Sequence, residues 1–166
     1  DFRLIHGLYG MTLKDCLTQV SDFLKENEKE VVLLDMNHVY GIDVATFAFV
    51  ADEVTAVLGS SLLCPFPPDI DTVTLNYMWS SGYRVIVFCP YEQKAPTTVS
   101  VFGGDPPILF WPCYSIKSPW PNANRVSALI KALQRDLESR PMAKDEENSP
   151  PFFVSQGVLT PHNWDV

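Results

Sequence analysis

The chain has 166 residues, of which 46% are hydrophobic and 19% are charged, and its formal net charge is −8 at pH 7. This length suits one domain, and no apolar run approaches the roughly 18 residues that a membrane-spanning helix needs. The acidic balance argues against nucleic acid as a partner, because nucleic-acid-binding surfaces are basic. It also argues against simple electrostatic adsorption to anionic lipid, so any membrane contact has to be local or apolar.

A short apolar strand is predicted over residues 2–6, and it ends in His6-Gly7. Gly7 lets the backbone turn sharply and leaves the imidazole of His6 at the strand tip. Histidine is the side chain best suited to proton transfer near neutral pH. A lone His-Gly pair is also compatible with a purely structural histidine. His6 is therefore a candidate catalytic residue whose role depends on the fold that the rest of the chain forms around it.

A helix is predicted over residues 12–26, where Thr12 and Asp15 have the spacing of a capping box and apolar residues recur at helical intervals. The next segment, residues 30–38, is almost continuously apolar and turns polar at its C-terminal end. That pattern is typical of a strand buried on both faces of a parallel sheet. Residues 2–38 thus predict a strand–helix–strand unit with polar side chains at both strand tips, where parallel α/β folds place their chemistry.

The remaining pattern predicts further helices and strands in alternation. Helices are expected over 43–58, near 73–80 and over 124–139, and strands over 84–89, 108–111 and 152–156. Asp43 is expected to cap the second helix, and Asn122 or Asn124 the last one. The last helix is expected to bury an apolar stripe formed by Val126, Leu129, Ile130, Leu133 and Leu137.

Two segments are expected to be solvated connections. In residues 90–107, Gly103-Gly104-Asp105 lacks the lysine and the following helix of a phosphate-binding loop. Residues 145–150 form an acidic, proline-flanked loop. The cysteines are too widely spaced for a zinc site and predict free, buried thiols in a cytosolic protein; they are Cys16, Cys64, Cys89 and Cys113.

These blocks together resemble the X domain of phosphatidylinositol-specific phospholipase C. The resemblance spans nearly the whole chain in order, and it is strongest to the small eukaryotic proteins that contain an X domain and little else. The residues that carry it are Ile5-His6-Gly7, residues 30–41, Leu63-Cys64-Pro65, residues 83–88, Trp111-Pro112, residues 119–122, residues 152–156 and Leu159-Thr160-Pro161.

The resemblance implies an α/β fold in which strands and helices alternate to form a TIM-like barrel. Such barrels typically need about 250 residues, and the chain has fewer residues and too few predicted strands. We therefore expect residues 1–166 to be a partial X domain that contains about strands 3 to 7 of an incomplete barrel. The N-terminal strands and the last strand are expected to be missing, which leaves two sheet edges unpaired.

The resemblance also implies a phosphoric diester hydrolase that cleaves inositol phospholipid at a membrane surface. In that family one histidine removes the proton of the inositol 2-hydroxyl, which attacks phosphorus, and a second histidine protonates the departing oxygen. His6 matches the second histidine, the general acid. The first histidine and a Phe-Asp-x-Arg segment lie upstream in the family, and Asp1-Phe2-Arg3 has the wrong order to replace them. We therefore expect the isolated chain to be inactive.

Asn37 aligns with the family's active-site position on the strand at residues 31–37. Bacterial members have a lysine there, and calcium-dependent members have a glutamate that binds the metal. Asparagine can hydrogen-bond a phosphate or hydroxyl oxygen but brings no charge, so no cofactor, and in particular no calcium, is expected. Strand alternation places Leu33, Asp35 and Asn37 towards the barrel interior. Asp35 is expected to join a polar network, and His38 to face the helices and cap or pack there.

Trp120 falls about where bacterial relatives place an aromatic ring that stacks on inositol, although packing in the core or at the rim is equally compatible with the sequence. Where bacterial members have an arginine, this chain has Cys89-Pro90. A catalytically weak or inactive X-domain protein that binds phospholipid or a partner therefore remains the alternative function. An unrelated α/β domain with His6 in its core is the third possibility.

Overall fold

The computed structural model describes residues 1–90, 109–140 and 152–160. The chain divides into two compact units, Asp1–Cys113 and Tyr114–Val166. The predicted connection around Gly103-Gly104-Asp105 and the predicted acidic loop at residues 145–150 lie outside the described residues. Within the described residues, no helix combines the length and the apolar character needed to cross a bilayer.

The first unit begins with a hairpin of two antiparallel strands, β1 (Arg3–His6) and β2 (Leu8–Thr12). The prediction that residues 2–6 form a parallel strand of a strand–helix–strand unit is therefore wrong. The reason is Gly7, whose φ of +74° reverses the chain directly after His6. A second strand then forms where a loop was expected.

Two helices of the first unit confirm the predicted positions and caps. In α1 (Leu13–Glu26) the Thr12 hydroxyl accepts a hydrogen bond from the Asp15 backbone N–H at 3.0 Å. In α2 (Val44–Leu58) the Asp43 carboxylate accepts from the Thr46 N–H at 2.7 Å. Hydrogen bonding to the Thr46 side chain, and then to its backbone, lowers the pKa of Asp43 below its ordinary value. Both caps satisfy backbone donors that a helix leaves unpaired. Gly59 ends α2, with a φ of +82°.

A three-stranded parallel sheet comes next, in the order β3 (Val32–Asp35), β4 (Val85–Cys89) and β5 (Trp111–Pro112). The short helix α3 (Leu75–Ser81) precedes β4. Every residue of β4 is buried, as expected for the central strand. The chain at Leu63 adds a single parallel bridge to Val85.

The two faces of this sheet pack differently. One face contributes to the main hydrophobic cluster with α1 and α2; its members include Leu17, Phe47, Val54, Val85, Val87 and Cys89, and Val32, Leu34 and Met36 pack against it. On the other face Phe88 and Trp111 meet edge to face, with ring centroids 6.0 Å apart. The predicted alternation of β3 is therefore confirmed for the face that carries Leu34 and Met36.

The second unit contains the short parallel strands β6 (Ile116–Lys117) and β7 (Phe152–Phe153) and the helix α4 (Val126–Glu138). Neither predicted asparagine caps α4: Arg125 occupies the cap position without a side-chain hydrogen bond, and Asn122 has a φ of +48°. The predicted stripe is only partly buried. Leu129 is buried, whereas Val126, Ile130 and Leu137 are at least half exposed.

The arrangement of the sheets confirms one part of the predicted architecture and leaves the barrel unconfirmed. An α/β fold with a parallel sheet and covering helices is confirmed. In the described residues the strands form sheets of two, three and two strands, and no closed barrel is seen. The barrel expectation came from the family resemblance and not from the strand pattern of these residues.

Candidate functional site

The carboxyl edge of the three-stranded sheet carries polar residues. β3 ends at Asp35, which is in register with Phe88 of β4, and the Met36 N–H still donates to the Phe88 carbonyl at 3.0 Å. Asn37 and His38 come immediately afterwards, and both are exposed. Ligands of open α/β sheets bind outside this edge. Asn37 thus occupies a suitable position for the contact that the sequence predicts, and its role stays a prediction.

The side chains of Asn37 and His38 contact each other directly. Nδ1 of His38 lies 2.9 Å from Oδ1 of Asn37. An amide oxygen only accepts hydrogen bonds, so this contact requires a proton on Nδ1, which donates it. The amide NH2 of Asn37 can then donate to a ligand. The His38 ring also lies nearly parallel to the Tyr40 ring, with centroids 6.2 Å apart and planes inclined by 14°.

The prediction that His38 faces the helices, where it caps or packs, is wrong. Alternation of side chains holds only while the backbone is extended, and β3 ends at Asp35, three residues before His38. His38 is exposed and its ring interacts with Asn37 and Tyr40 instead. Asp35, as the last residue of β3, is half-buried.

His6 lies at the end of β1, directly before the hairpin turn. In the antiparallel pairing His6 is opposite Leu8, and Ile5 is opposite Tyr9. A Cβ at residue 7 would meet no atom within 4 Å, so the positive φ and not a lack of space favours glycine there. The imidazole is exposed to solvent. A histidine in this position can reach a molecule that stays outside the protein surface.

His6 and Asn37 are not joined in one contact. Both belong to the first unit, but no hydrogen bond between them is found among the described residues. His6 is carried by the hairpin and Asn37 by the carboxyl edge of the sheet. Their participation in a single site therefore stays a prediction.

Trp120 belongs to the second unit and is half exposed. Its indole N–H donates to the Thr160 hydroxyl at 2.9 Å, and the Thr160 backbone N–H donates to the Ala123 carbonyl at 2.7 Å. These two bonds hold the segment at 120–123 beside the segment at 160. Since the indole N–H is already bonded, the part of Trp120 left for a ligand is its ring face.

None of the four cysteines forms a disulfide, as predicted, but only Cys64 and Cys89 are buried, while Cys16 and Cys113 are partly exposed. Burial raises the pKa of the Cys64 thiol to about 11, which disfavours a reactive thiolate. In the part of the chain that the structure describes, no three His, Cys, Asp or Glu side chains gather as a metal site.

Comparison with known proteins finds relatives along almost the entire chain. The chain is 36% identical over 161 residues to PI-PLC X domain-containing protein 3 of Danio rerio and 30% identical over 163 residues to PI-PLC X domain-containing protein 2 of Homo sapiens. Each alignment covers 97% of this chain. The chain belongs to the PI-PLC X domain-containing proteins. More distantly, it is 26% identical over 135 residues to PI-PLC X domain-containing protein 1 of Homo sapiens.

The chain spans less than half the length of these X domain-containing relatives, 44% of the zebrafish protein and 47% of the human protein 2. No family model matches the chain. No solved structure matches it either. Membership of the X domain-containing proteins therefore rests on sequence similarity over 97% of this chain to part of each named relative.

Two features of this X-domain chain were not anticipated from the sequence. The first is the contact between His38 and Asn37. We had expected the strand to continue through His38, and neighbouring side chains of a strand point to opposite faces. The second is the exposure of Leu8 and Tyr9 beside His6. A glycine directly after His6, with residues of high strand propensity behind it, is the signal that could have predicted a hairpin there.

Proposed function

We propose that the protein is a phosphoric diester hydrolase that cleaves inositol phospholipid at the cytoplasmic surface of a membrane. The observation that carries the proposal is similarity over 97% of the chain to PI-PLC X domain-containing proteins. The exposed position of His6 at the hairpin turn supports it, because the substrate stays in the membrane and has to be reached from outside. The four cysteines, none of which forms a disulfide, support a cytoplasmic location.

His6 is the proposed general acid. A base, the family's other histidine, takes the proton of the inositol 2-hydroxyl, and the resulting alkoxide attacks phosphorus. The bond from phosphorus to the glycerol oxygen breaks, and the N–H of the His6 imidazolium donates its proton to that oxygen. The products are a cyclic inositol phosphate and diacylglycerol. An alkoxide leaves poorly without a proton, so this donation removes a large part of the barrier.

Asn37 is the proposed hydrogen-bond donor to a phosphate or inositol oxygen. Trp120 belongs to the other unit, and its stacking on inositol stays a prediction. His38 is a positioning residue in this scheme. By donating from Nδ1 to Oδ1 of Asn37, it sets which end of the amide is turned outward.

Replacing His38 by alanine is expected to lower kcat/KM about five- to tenfold, which corresponds to the loss of one hydrogen bond. The same substitution in an Asn37→Ala background is expected to have little further effect, because the amide it positions is gone. Kinetics of wild type, both single variants and the double variant measure this. Fully additive losses would contradict the assignment of His38 to Asn37.

A chelator such as EDTA is expected to leave the turnover of phosphatidylinositol unchanged. Asn37 presents a neutral amide where calcium-dependent members have a glutamate, and hard cations prefer several carboxylate oxygens. The measurement is inositol phosphate release with EDTA, with EDTA and excess Ca²⁺, and without either. Activity that EDTA abolishes and Ca²⁺ restores would refute metal-independent catalysis.

The alternative is an X-domain protein that binds phospholipid without efficient turnover. Two residues favour it: Asn37 is neutral, and the buried Cys89 stands where bacterial members have a cation. The deciding experiment measures vesicle binding and inositol phosphate release by the full-length product of the gene that encodes this chain. Release well above the uncatalysed rate supports the hydrolase, and binding without release supports the alternative.

A further inference from the structure

Two exposed cations of the second unit lie beside one aromatic ring. Lys117, at the end of β6, is directly opposite Phe153 of β7 in the parallel register. Residues paired in this way point to the same face of a sheet, and neighbouring strands lie about 4.8 Å apart. The guanidinium of Arg140, just after α4, lies over the Phe153 ring, with Cζ 5.7 Å from the ring centroid. Lys117 and Arg140 therefore both border Phe153.

The aromatic contact places the Arg140 guanidinium without occupying an oxygen acceptor. A cation–π contact draws on the charge of the guanidinium and the ring face. Arginine has five N–H donors in a fixed fork, so most of them stay available to a ligand in this arrangement. The fork matches two oxygens of one phosphate group. Phe153 thus holds the guanidinium in place for an anion and leaves its hydrogen-bonding capacity open.

Neither cation has an acidic partner within the described residues. The side chains of Lys117 and Arg140 are exposed, and no ion pair or side-chain hydrogen bond involves them in that part of the chain. Arg135, one turn earlier on α4, differs because it bonds the Asp136 carboxylate at 3.0 Å. Two adjacent, unneutralised cations repel each other and attract an anion that contacts both.

We propose that Lys117 and Arg140 form a binding site for a phosphate group. The guanidinium donates two parallel hydrogen bonds to two phosphate oxygens, and the Lys117 ammonium donates to the third. A phosphate monoester fits best, because it has three such oxygens and nearly two negative charges at neutral pH. The same chemistry occurs in soluble phosphates and in the headgroup of phosphatidic acid. The site is independent of the proposed function, since it uses neither His6 nor Asn37.

Calorimetric titration of the full-length protein with inorganic phosphate, at constant ionic strength, tests the soluble ligand. Lys117→Gln with Arg140→Gln is expected to weaken binding tenfold or more, because two charge-assisted contacts are lost. Arg140→Lys keeps the charge but removes the fork, and an intermediate loss is expected.

Arg125→Gln with Lys131→Gln is the matched control. It removes the same charge from the same unit, and Arg125 lies at the opposite end of α4 from Arg140, about 20 Å along the helix. This control is expected to leave phosphate binding within about twofold of wild type, because screening weakens charge interactions over that distance. Equal weakening by the control and by the Lys117 and Arg140 variant would overturn the site and assign the effect to general charge.

Vesicles distinguish the two sources of phosphate. Retention of the same proteins is measured on phosphatidylcholine vesicles with and without phosphatidic acid. A loss confined to phosphatidic acid vesicles supports the site with a lipid headgroup as ligand, and a loss confined to inorganic phosphate supports it with a soluble one. Unchanged binding of both probes by the Lys117 and Arg140 variant would overturn the proposal. Binding that appears only when Asp145, Glu146 and Glu147 are replaced by amides would also overturn it, because the chain's own carboxylates would then occupy the site.

Discussion

Replacing His6 by glutamine is expected to lower turnover of phosphatidylinositol about 10²- to 10⁴-fold, the range that a general acid contributes. Glutamine is polar and of similar size, but its amide has no proton to give to the departing glycerol oxygen. His6 is exposed, and Gly7 determines the turn after it, so the hairpin is expected to stay folded. The measurement is inositol phosphate release by full-length wild type and variant with matching unfolding midpoints.

The leaving group distinguishes an acid from a binding residue at position 6, because only an acid protonates the departing oxygen. A substrate with a nitrophenolate leaving group needs little protonation, and the deficit of the variant is expected to shrink on it. An equal deficit on both substrates would show that His6 binds the substrate and does not protonate the leaving oxygen.

His38→Gln is the matched control for His6→Gln. It makes the same chemical change at another exposed histidine, one whose contacts are Asn37 and Tyr40. A loss of about tenfold or less is expected, because His38 acts through one hydrogen bond. A loss at His38 as large as the loss at His6 would contradict the roles given to both residues.

The helices and buried strands could be predicted because their patterns are local. Thr12 and Asp43 cap their helices through side-chain oxygens, which needs only a few neighbouring residues. The apolar run of β4 is buried on both faces, as a continuous run predicts. In these segments propensity, capping and hydrophobic period agree, and such agreement is what makes a local prediction reliable.

Pairing partners and the covering of a helix face were not predictable in the same way. An apolar stripe shows that a helix has a face to bury, but it does not say what covers that face. Val126 and Leu137 of α4 are accordingly 60% and 59% exposed although their spacing is that of core residues. In the same way, the sequence predicts β1 as a strand but does not identify its partner. The antiparallel pairing with β2 depends on the turn that Gly7 makes with its positive φ.

The candidate site was predictable in its residue types and not in its contacts. The resemblance named His6, Asn37 and Trp120, and the structure places them on a hairpin turn, after β3 and in the second unit. The Asn37–His38 hydrogen bond joins adjacent residues that an ideal strand would turn to opposite faces. It forms because the strand has already ended, and strand ends are the least certain part of a sequence prediction.

Replacing Trp111 by alanine is expected to lower the free energy of unfolding by about 3–5 kcal/mol. Trp111 is fully buried and packs edge to face against Phe66 at 5.4 Å and Phe88 at 6.0 Å between ring centroids. Its indole N–H donates to the Cys64 carbonyl at 2.9 Å. Alanine therefore leaves a large cavity and an unpaired buried carbonyl. Chemical denaturation of both proteins measures the difference.

Two matched substitutions identify which property of Trp111 stabilises the sheet. Trp79→Ala removes an indole that is 45% exposed and whose N–H donates to the Lys29 carbonyl, and we expect it to cost about 1 kcal/mol. Trp111→Phe keeps one aromatic ring in the core and removes the second ring of the indole with its donor to Cys64, with an expected cost of about 1–3 kcal/mol. Equal costs for Trp111→Ala and Trp79→Ala would contradict the packing argument. Equal costs for alanine and phenylalanine at position 111 would assign the stability to the hydrogen bond and not to the ring.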